Sequence, residues 1–185
     1  FKVKFSLDEL QKATGGRSVG EPPRAPLRVV TDTRVLERGD AFLALRGERY
    51  DGADFTGDAF AKGAALAIVA RPEALPSGAA GVVVDDTLRA YMALASAARV
   101  RSRAIVVAIT GSTGKTTTKT LLAQMLSLGG RRLAATPQNE NNEIGVSKLL
   151  LSLGGSEEIV VVEMGCRHEG EIAELAAIAR PQIGI

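Results

Sequence analysis

One short segment constrains this chain more than any other: Ala108-Ile-Thr-Gly-Ser-Thr-Gly-Lys-Thr-Thr117. The apolar run Ala104–Ile109 leads directly into it, and a helical pattern from Lys115 to Leu128 leads directly out, with Leu121, Leu122, Met125 and Leu126 at core spacing. Glycines let successive backbone N–H groups turn toward an anion, and a helix N-terminus adds unpaired donors and the positive end of its dipole. In such a loop Gly111, Ser112, Thr113, Gly114 and Thr117 cradle phosphates. Lys115 reaches the outer ones, and the Thr116 hydroxyl is placed to ligate Mg²⁺. The general G-x-x-x-x-G-K-[ST] form is not met, because Ile109 stands at its first glycine. An ordinary Gly/Ser/Thr turn is the plainer reading; the strand–loop–helix setting favours the phosphate loop.

The sequence around this loop alternates strand and helix. Ile105–Ile109 and Ile159–Glu163 read as buried strands, with a short strand at 131–135. Helices are expected at 115–128, 143–153 and 169–179, closed by Gly129-Gly130, Gly154-Gly155 and Pro181. That alternation implies a parallel, doubly wound sheet. Before residue 104 the pattern is that of a smaller α/β or α+β unit. Ser6-Leu-Asp-Glu9 is a capping box opening a helix 7–13. Strands are expected at 27–30, 41–45, 65–69 and 81–84, a helix at 58–62, and a longer helix at 88–100 capped by Thr87. The fold class is therefore α/β, with a domain boundary between 103 and 104.

Composition narrows the function classes. With 45% apolar residues and a net charge of +2 the chain is not of disordered type. No apolar run approaches the roughly 20 residues that span a bilayer. There is no basic run interleaved with aromatics, so nucleic acid is not the expected partner. The single cysteine, Cys166, cannot form an internal disulfide, and a reducing, cytoplasmic setting is the simplest reading.

Three further features bear on chemistry. Glu163 ends a buried strand, where a carboxylate in a parallel sheet faces the same crevice as the phosphate loop. No aspartate follows Asp86, so Glu163 is the expected metal-side carboxylate. His168, the only histidine, reads either as a loop or cap residue or as a ligand. Thr136-Pro-Gln-Asn139-Glu-Asn141-Asn142 precedes a helix start; its amides read equally as caps and turns or as contacts to a polar ligand. A nucleophilic role for Cys166 would need a paired base and is not expected.

Three segments in this order resemble the Mur ligases: Thr110–Thr117, Asn139-Glu-Asn-Asn-Glu-Ile-Gly-Val146, and Val162-Glu-Met-Gly-Cys-Arg-His-Glu-Gly-Glu-Ile172. Thr31-Asp-Thr-Arg34, Gly39–Gly52 and Asp54-Phe55 agree as well. The resemblance implies a first domain, 1–103, that binds the uridine end of a nucleotide-linked precursor. It implies that 104–185 is the first portion of a P-loop, parallel-sheet ATPase domain, incomplete here. The asparagine-rich segment and Glu-Met-Gly-x-x-His-x-Gly-Glu-Ile point within the family to the ATP-dependent member that joins D-Ala-D-Ala to UDP-N-acetylmuramoyl-tripeptide through an acyl phosphate, in peptidoglycan synthesis. The alternatives are the sister ligase that adds a diamino acid, and a nucleotide-binding module without catalysis.

By the same resemblance, Lys115, Glu163 and His168 are the expected catalytic residues, with Thr116 and Glu163 on Mg²⁺ and His168 near metal or phosphate. Thr31, Arg34, Arg46, Gly47, Glu48 and Arg49 are expected on the uridine diphosphate. Thr136, Asn139, Asn141 and Asn142 are expected along the path to the muramoyl-peptide. Ala108, Thr113, Gln138, Ala53 and Ser147 stand where many members have Gly, Asn, Gly, His and Pro. The chain starts without Met and ends on Pro181-Gln-Ile-Gly-Ile185, which reads as a strand just beginning. It is expected to be an inactive fragment of a monomeric parent, whose second-metal residues and C-terminal domain lie past 185.

Overall fold

The computed structural model describes residues 3–47 and 50–185. They divide into two compact units, Val3–Leu94 and Ala95–Ile185.

The first unit opens with β1 (Lys4–Phe5) and α1 (Leu7–Thr14). The capping box forms as expected: Ser6 N donates to Glu9 Oε2 at 2.7 Å and Glu9 N to Ser6 Oγ at 3.3 Å. β2 (Arg17–Val19), β3 (Leu27–Val30), β4 (Ala41–Leu43), α2 (Thr56–Ala61), β5 (Leu66–Val69) and β6 (Gly81–Val83) follow. The sheet order is β1-β3-β4-β5-β6-β2. β3 through β6 pair in parallel, and the short edge strands β1 and β2 run antiparallel to β3 and β6. β4, β5 and β6 are continuous apolar runs because both of their faces are covered, while β3 is broken by Arg28; Phe42, Leu43, Leu66 and Ile68 are fully buried. α3 (Thr87–Arg101) starts one residue earlier than expected. Its cap is Asp86, whose Oδ1 accepts from Arg89 N at 2.9 Å, and not Thr87, which is buried in the first turn. Either residue type can cap; burial of Thr87 decides between them.

The second unit contains β7 (Ile105–Ile109), α4 (Lys115–Leu128), β8 (Leu133–Ala135), α5 (Glu143–Ser152), β9 (Ile159–Glu163), α6 (Glu171–Ala179) and β10 (Ile183–Gly184). Its sheet has the order β10-β7-β9-β8 with every pair parallel. β7 and β9 are in register from Ile105↔Ile159 to Ile109↔Glu163. Glu163 therefore stands beside the strand end from which the phosphate loop departs.

α4 differs from expectation. Leu121 and Met125 are 55% and 69% exposed, while Leu122 and Leu126 are only half-buried. The stripe that meets the sheet runs through Lys115, Lys119, Leu122 and Leu126, and Lys119 is its one fully buried member. The core-spacing argument found the period but chose a stripe rotated off the sheet-facing one. The second unit also takes in the end of α3 from Ala95, where Arg99 is buried and fastens the end of α6 to the start of β10: Nε donates to Ala179 O at 2.8 Å and Nη2 to Gln182 Oε1 at 3.2 Å.

Candidate functional site

In the second unit the loop between β7 and α4 has the geometry of an anion cradle. Gly114 is the N-cap of α4 at φ 79°, a left-handed conformation that strains any residue with a Cβ. No side chain caps this helix, so its first N–H groups remain for an anion. Lys115 folds back on its own loop, with Nζ 2.6 Å from Gly111 O. Thr110 Oγ1 donates to Met164 O at 3.0 Å, and Met164 N donates to Ile109 O at 2.8 Å. These bonds tie the loop's base to the end of β9.

Glu163 is the hub. It is 2% exposed, and its Oε1 accepts from Thr116 Oγ1 at 3.0 Å and from Asn141 Nδ2 at 3.1 Å. Oε2 faces Lys119 Nζ at 3.0 Å. Its backbone N–H donates to Thr136 Oγ1 at 2.8 Å, inside the protein. Burial pushes the Glu163 carboxyl pKa up. The Lys119 ammonium, the Asn141 amide and the Thr116 hydroxyl outweigh burial and hold it below the usual carboxylate value. Thr116 and Glu163 thus form a hard-oxygen pair at the foot of a phosphate loop, the donor chemistry that Mg²⁺ takes.

The asparagine-rich segment closes one side. Asn141 O accepts from Gly165 N at 2.8 Å, and a Cβ on Gly165 would meet the Asn141 amide at 2.9 Å, so glycine permits this approach. Asn142 is the N-cap of α5, accepting from Gly145 N at 3.0 Å. Asn139 is exposed, in a left-handed conformation at φ 65°. Of the expected precursor-path residues, the structure turns Thr136 and Asn141 toward Glu163, uses Asn142 as a cap, and leaves Asn139 at the surface. His168 lies on the exposed turn before α6. Glu171 Oε2 accepts there from Arg167 N at 2.6 Å and His168 N at 3.1 Å. These two bonds, with the nearby charges, lower the Glu171 pKa.

The first unit has its own concavity, a cavity of about 580 Å³ lined by Thr31, Arg34, Phe42, Leu45, Tyr50 and Phe55, among others. It sits at the carboxyl ends of β3 and β4, where ligands bind in parallel sheets. The loop after β3 is held by Arg28, which forks Asp40 (Nε–Oδ1 2.9 Å, Nη2–Oδ2 2.6 Å) and reaches Val35 O at 3.2 Å. Arg34 forks Asp32 with a shortest contact of 2.6 Å, which lowers the Asp32 pKa. Arg46 is placed elsewhere, in a small cavity with Asp51 and Arg71. Gly47 N donates to Tyr50 O at 2.9 Å. Glu48 and Arg49 lie outside the described residues.

Residues 28–110 match the Mur ligase family, catalytic domain, and residues 109–185 match the Mur ligase middle domain. The chain belongs to the Mur ligase family. This Mur ligase sequence is 47% identical over 158 residues to the UDP-N-acetylmuramoyl-tripeptide–D-alanyl-D-alanine ligase of Synechocystis sp., an alignment covering 85% of this chain and 35% of that protein. Its fold matches a crystal structure of MurF from Acinetobacter baumannii with a TM-score of 0.91 and 38% identity, over 98% of this chain and 40% of that one. A MurF ligase from Thermotoga maritima, solved in complex with ADP, matches with a TM-score of 0.75 and 35% identity, over 84% of this chain and 36% of that one. The Mur ligase chain thus spans well under half the length of these relatives. Sequence reasoning missed Lys119 in the second-unit site, and it named Asn141 without its contact to Glu163. The Asn141 contact with Glu163 carries no local signal. Lys119 carried one that went unused: a lysine three residues after Thr116 shares its helix face.

Proposed function

We propose that this chain supplies the precursor-binding and nucleotide-binding parts of an ATP-dependent amide ligase that adds D-Ala-D-Ala to UDP-N-acetylmuramoyl-tripeptide. The observation that carries this is the Thr116–Glu163 pair beneath a phosphate loop, in a chain whose relatives bear that ligase name. The domain division we adopt is 1–103 for the precursor and 104 onward for the nucleotide. The reaction belongs to the cytoplasm, where ATP and the uridine-linked precursor are available; among the described residues no helix is long and apolar enough to cross a membrane.

The residues act as follows. The N–H groups from Gly111 to Thr117 and the α4 terminus bind the triphosphate, and Lys115 leaves Gly111 O for its outer phosphates. Thr116 and Glu163 would hold Mg²⁺: a buried carboxylate oxygen and an exposed hydroxyl 3.0 Å apart are the hard donors it takes. When bound, that ion draws charge from the transferring phosphoryl group. Together these groups let a carboxylate approach a triphosphate, two anions that would otherwise repel. Asn141 and Thr136 orient Glu163, and we assign His168, on the exposed turn before α6, a role near metal or phosphate. In the first unit, Thr31 and Arg34 take the diphosphate, while Tyr50 and Phe55 offer rings to the uracil.

The test uses the complete polypeptide that carries this sequence, given ATP, Mg²⁺, UDP-N-acetylmuramoyl-tripeptide and D-Ala-D-Ala. The expected result is a pentapeptide precursor with one ADP released per amide. A diamino acid accepted in place of D-Ala-D-Ala would move the chain to the sister activity. Nucleotide binding without amide formation would make it a module.

A further inference from the structure

We propose that Lys119 is a positioning residue. Its buried ammonium is a built-in counter-ion that pins Glu163 Oε2, so that Oε1 alone is presented with the Thr116 hydroxyl and the metal is admitted only together with its nucleotide. This rests on the reading of Thr116 and Glu163 as the metal-facing pair, and it goes further by naming what keeps that pair in register.

Lysines are almost never buried unless paired. Lys119 is the only buried residue of α4, on a stripe whose other sheet-facing members include Leu122 and Leu126. Its Nζ lies 3.0 Å from Glu163 Oε2 and 3.5 Å from Pro137 O, so it joins α4, the end of β9 and the segment leading to Asn141. A buried ion pair is weak ground for stability, because a well-packed apolar pair does as well or better. Its geometry is more informative. Glu163 Oε1 takes both directed hydrogen bonds, from Thr116 and Asn141, whereas Oε2 faces only the ammonium. The carboxylate cannot swing to offer both oxygens without stranding that ammonium in the interior. The pair is also neutral as it stands. A free divalent cation gains little there, while a cation carried on a triphosphate brings its own compensating charge.

The test takes Lys119→Met, Lys119→Arg and the double variant Lys119→Met/Glu163→Gln in the complete polypeptide. The first readout is the thermal midpoint of nucleotide-free protein titrated with magnesium chloride. The wild type is expected to respond little. Lys119→Met should melt earlier and recover with magnesium, at about tenfold lower concentration than any wild-type response, since a repelling charge a few ångströms away is gone. Lys119→Arg should behave as the wild type. The double variant should regain the lost midpoint without magnesium, because no orphaned carboxylate remains. In the ligase assay Lys119→Met should lose kcat more than it raises KM for ATP. A Lys119→Met midpoint that ignores magnesium and is not restored in the double variant overturns the proposal and leaves Lys119 a packing residue. If the wild type bound a non-hydrolysable ATP analogue equally with and without magnesium, the metal reading itself would fall and carry the proposal with it; that result is distinct from a failure confined to the Lys119 variants.

Discussion

The Thr116 hydroxyl donates to Glu163 Oε1 across 3.0 Å, joining residues 47 apart in sequence. The bond exists because β7 and β9 are in register at Ile109↔Glu163 and the loop leaves β7 one residue later. A one-residue slip would turn Glu163 to the other face of the sheet, so the sheet register is itself part of the site.

Lys115→Ala should cost at least ~10²-fold in kcat of the complete ligase, by analogy with losing one preorganised electrostatic group. Steady-state release of ADP in the presence of both substrates measures it. Turnover near that of the wild type would remove the phosphate-loop assignment.

The Glu163 carboxyl sits below its ordinary value of 4.5. A depressed folded pKa means that the unfolded chain takes up the proton first. Its contribution to stability is therefore whole above that ordinary value and is lost as pH falls through the folded one. Urea unfolding of wild type and Glu163→Gln should show a stability gap that is constant near neutral pH and shrinks on acidification below about 4.5. A gap that widens in acid would show the sign to be wrong.

Arg34→Ala should weaken binding of the UDP-linked precursor about tenfold or more, the worth of a lost charged hydrogen bond, and leave affinity for an ATP analogue unchanged. Phe55→Ala should act on the same ligand, since stacking one base on an aromatic ring is worth about 1–3 kcal/mol. Calorimetry with each ligand separates the two sites. Equal losses for both ligands would contradict the division of labour.

Asn142→Ala removes the cap of α5 and should lower stability by about 1 kcal/mol, read as a shift in urea midpoint at constant slope. Asn142→Asp should keep most of it, because aspartate accepts the same bond from Gly145 N. An alanine variant as stable as the wild type would leave Asn142 free for a ligand role.

Much of this is legible in the sequence. The capping box at Ser6, the two buried strands flanking the phosphate loop, and Glu163 at the end of the second all follow from local pattern. Pairing at a distance was not legible. β1 and β2 are two and three residues long, too short for a period to register, and exist because a neighbouring strand edge takes them. The sheet-facing stripe of α4 was misplaced because hydrophobicity was the guide, and the most buried position there is a lysine whose partner lies on β9. Asn141 reads equally as a turn residue or a ligand contact, and its bond to the buried Glu163 shows only once Gly165 and the end of β9 are seen beside it.

The sheet order β10-β7-β9-β8 carries a consequence for the newborn chain. Both neighbours of β7 come later in sequence than the strand itself. At a synthesis rate of about 5–20 residues per second, the roughly fifty residues between Ile109 and Ile159 take on the order of 3–10 s to appear. During that interval Val106–Ile109 is an apolar strand with no sheet to join, and the phosphate loop has no carboxylate beneath it. The strand that carries the candidate phosphate loop is thus made well before either strand that pairs with it.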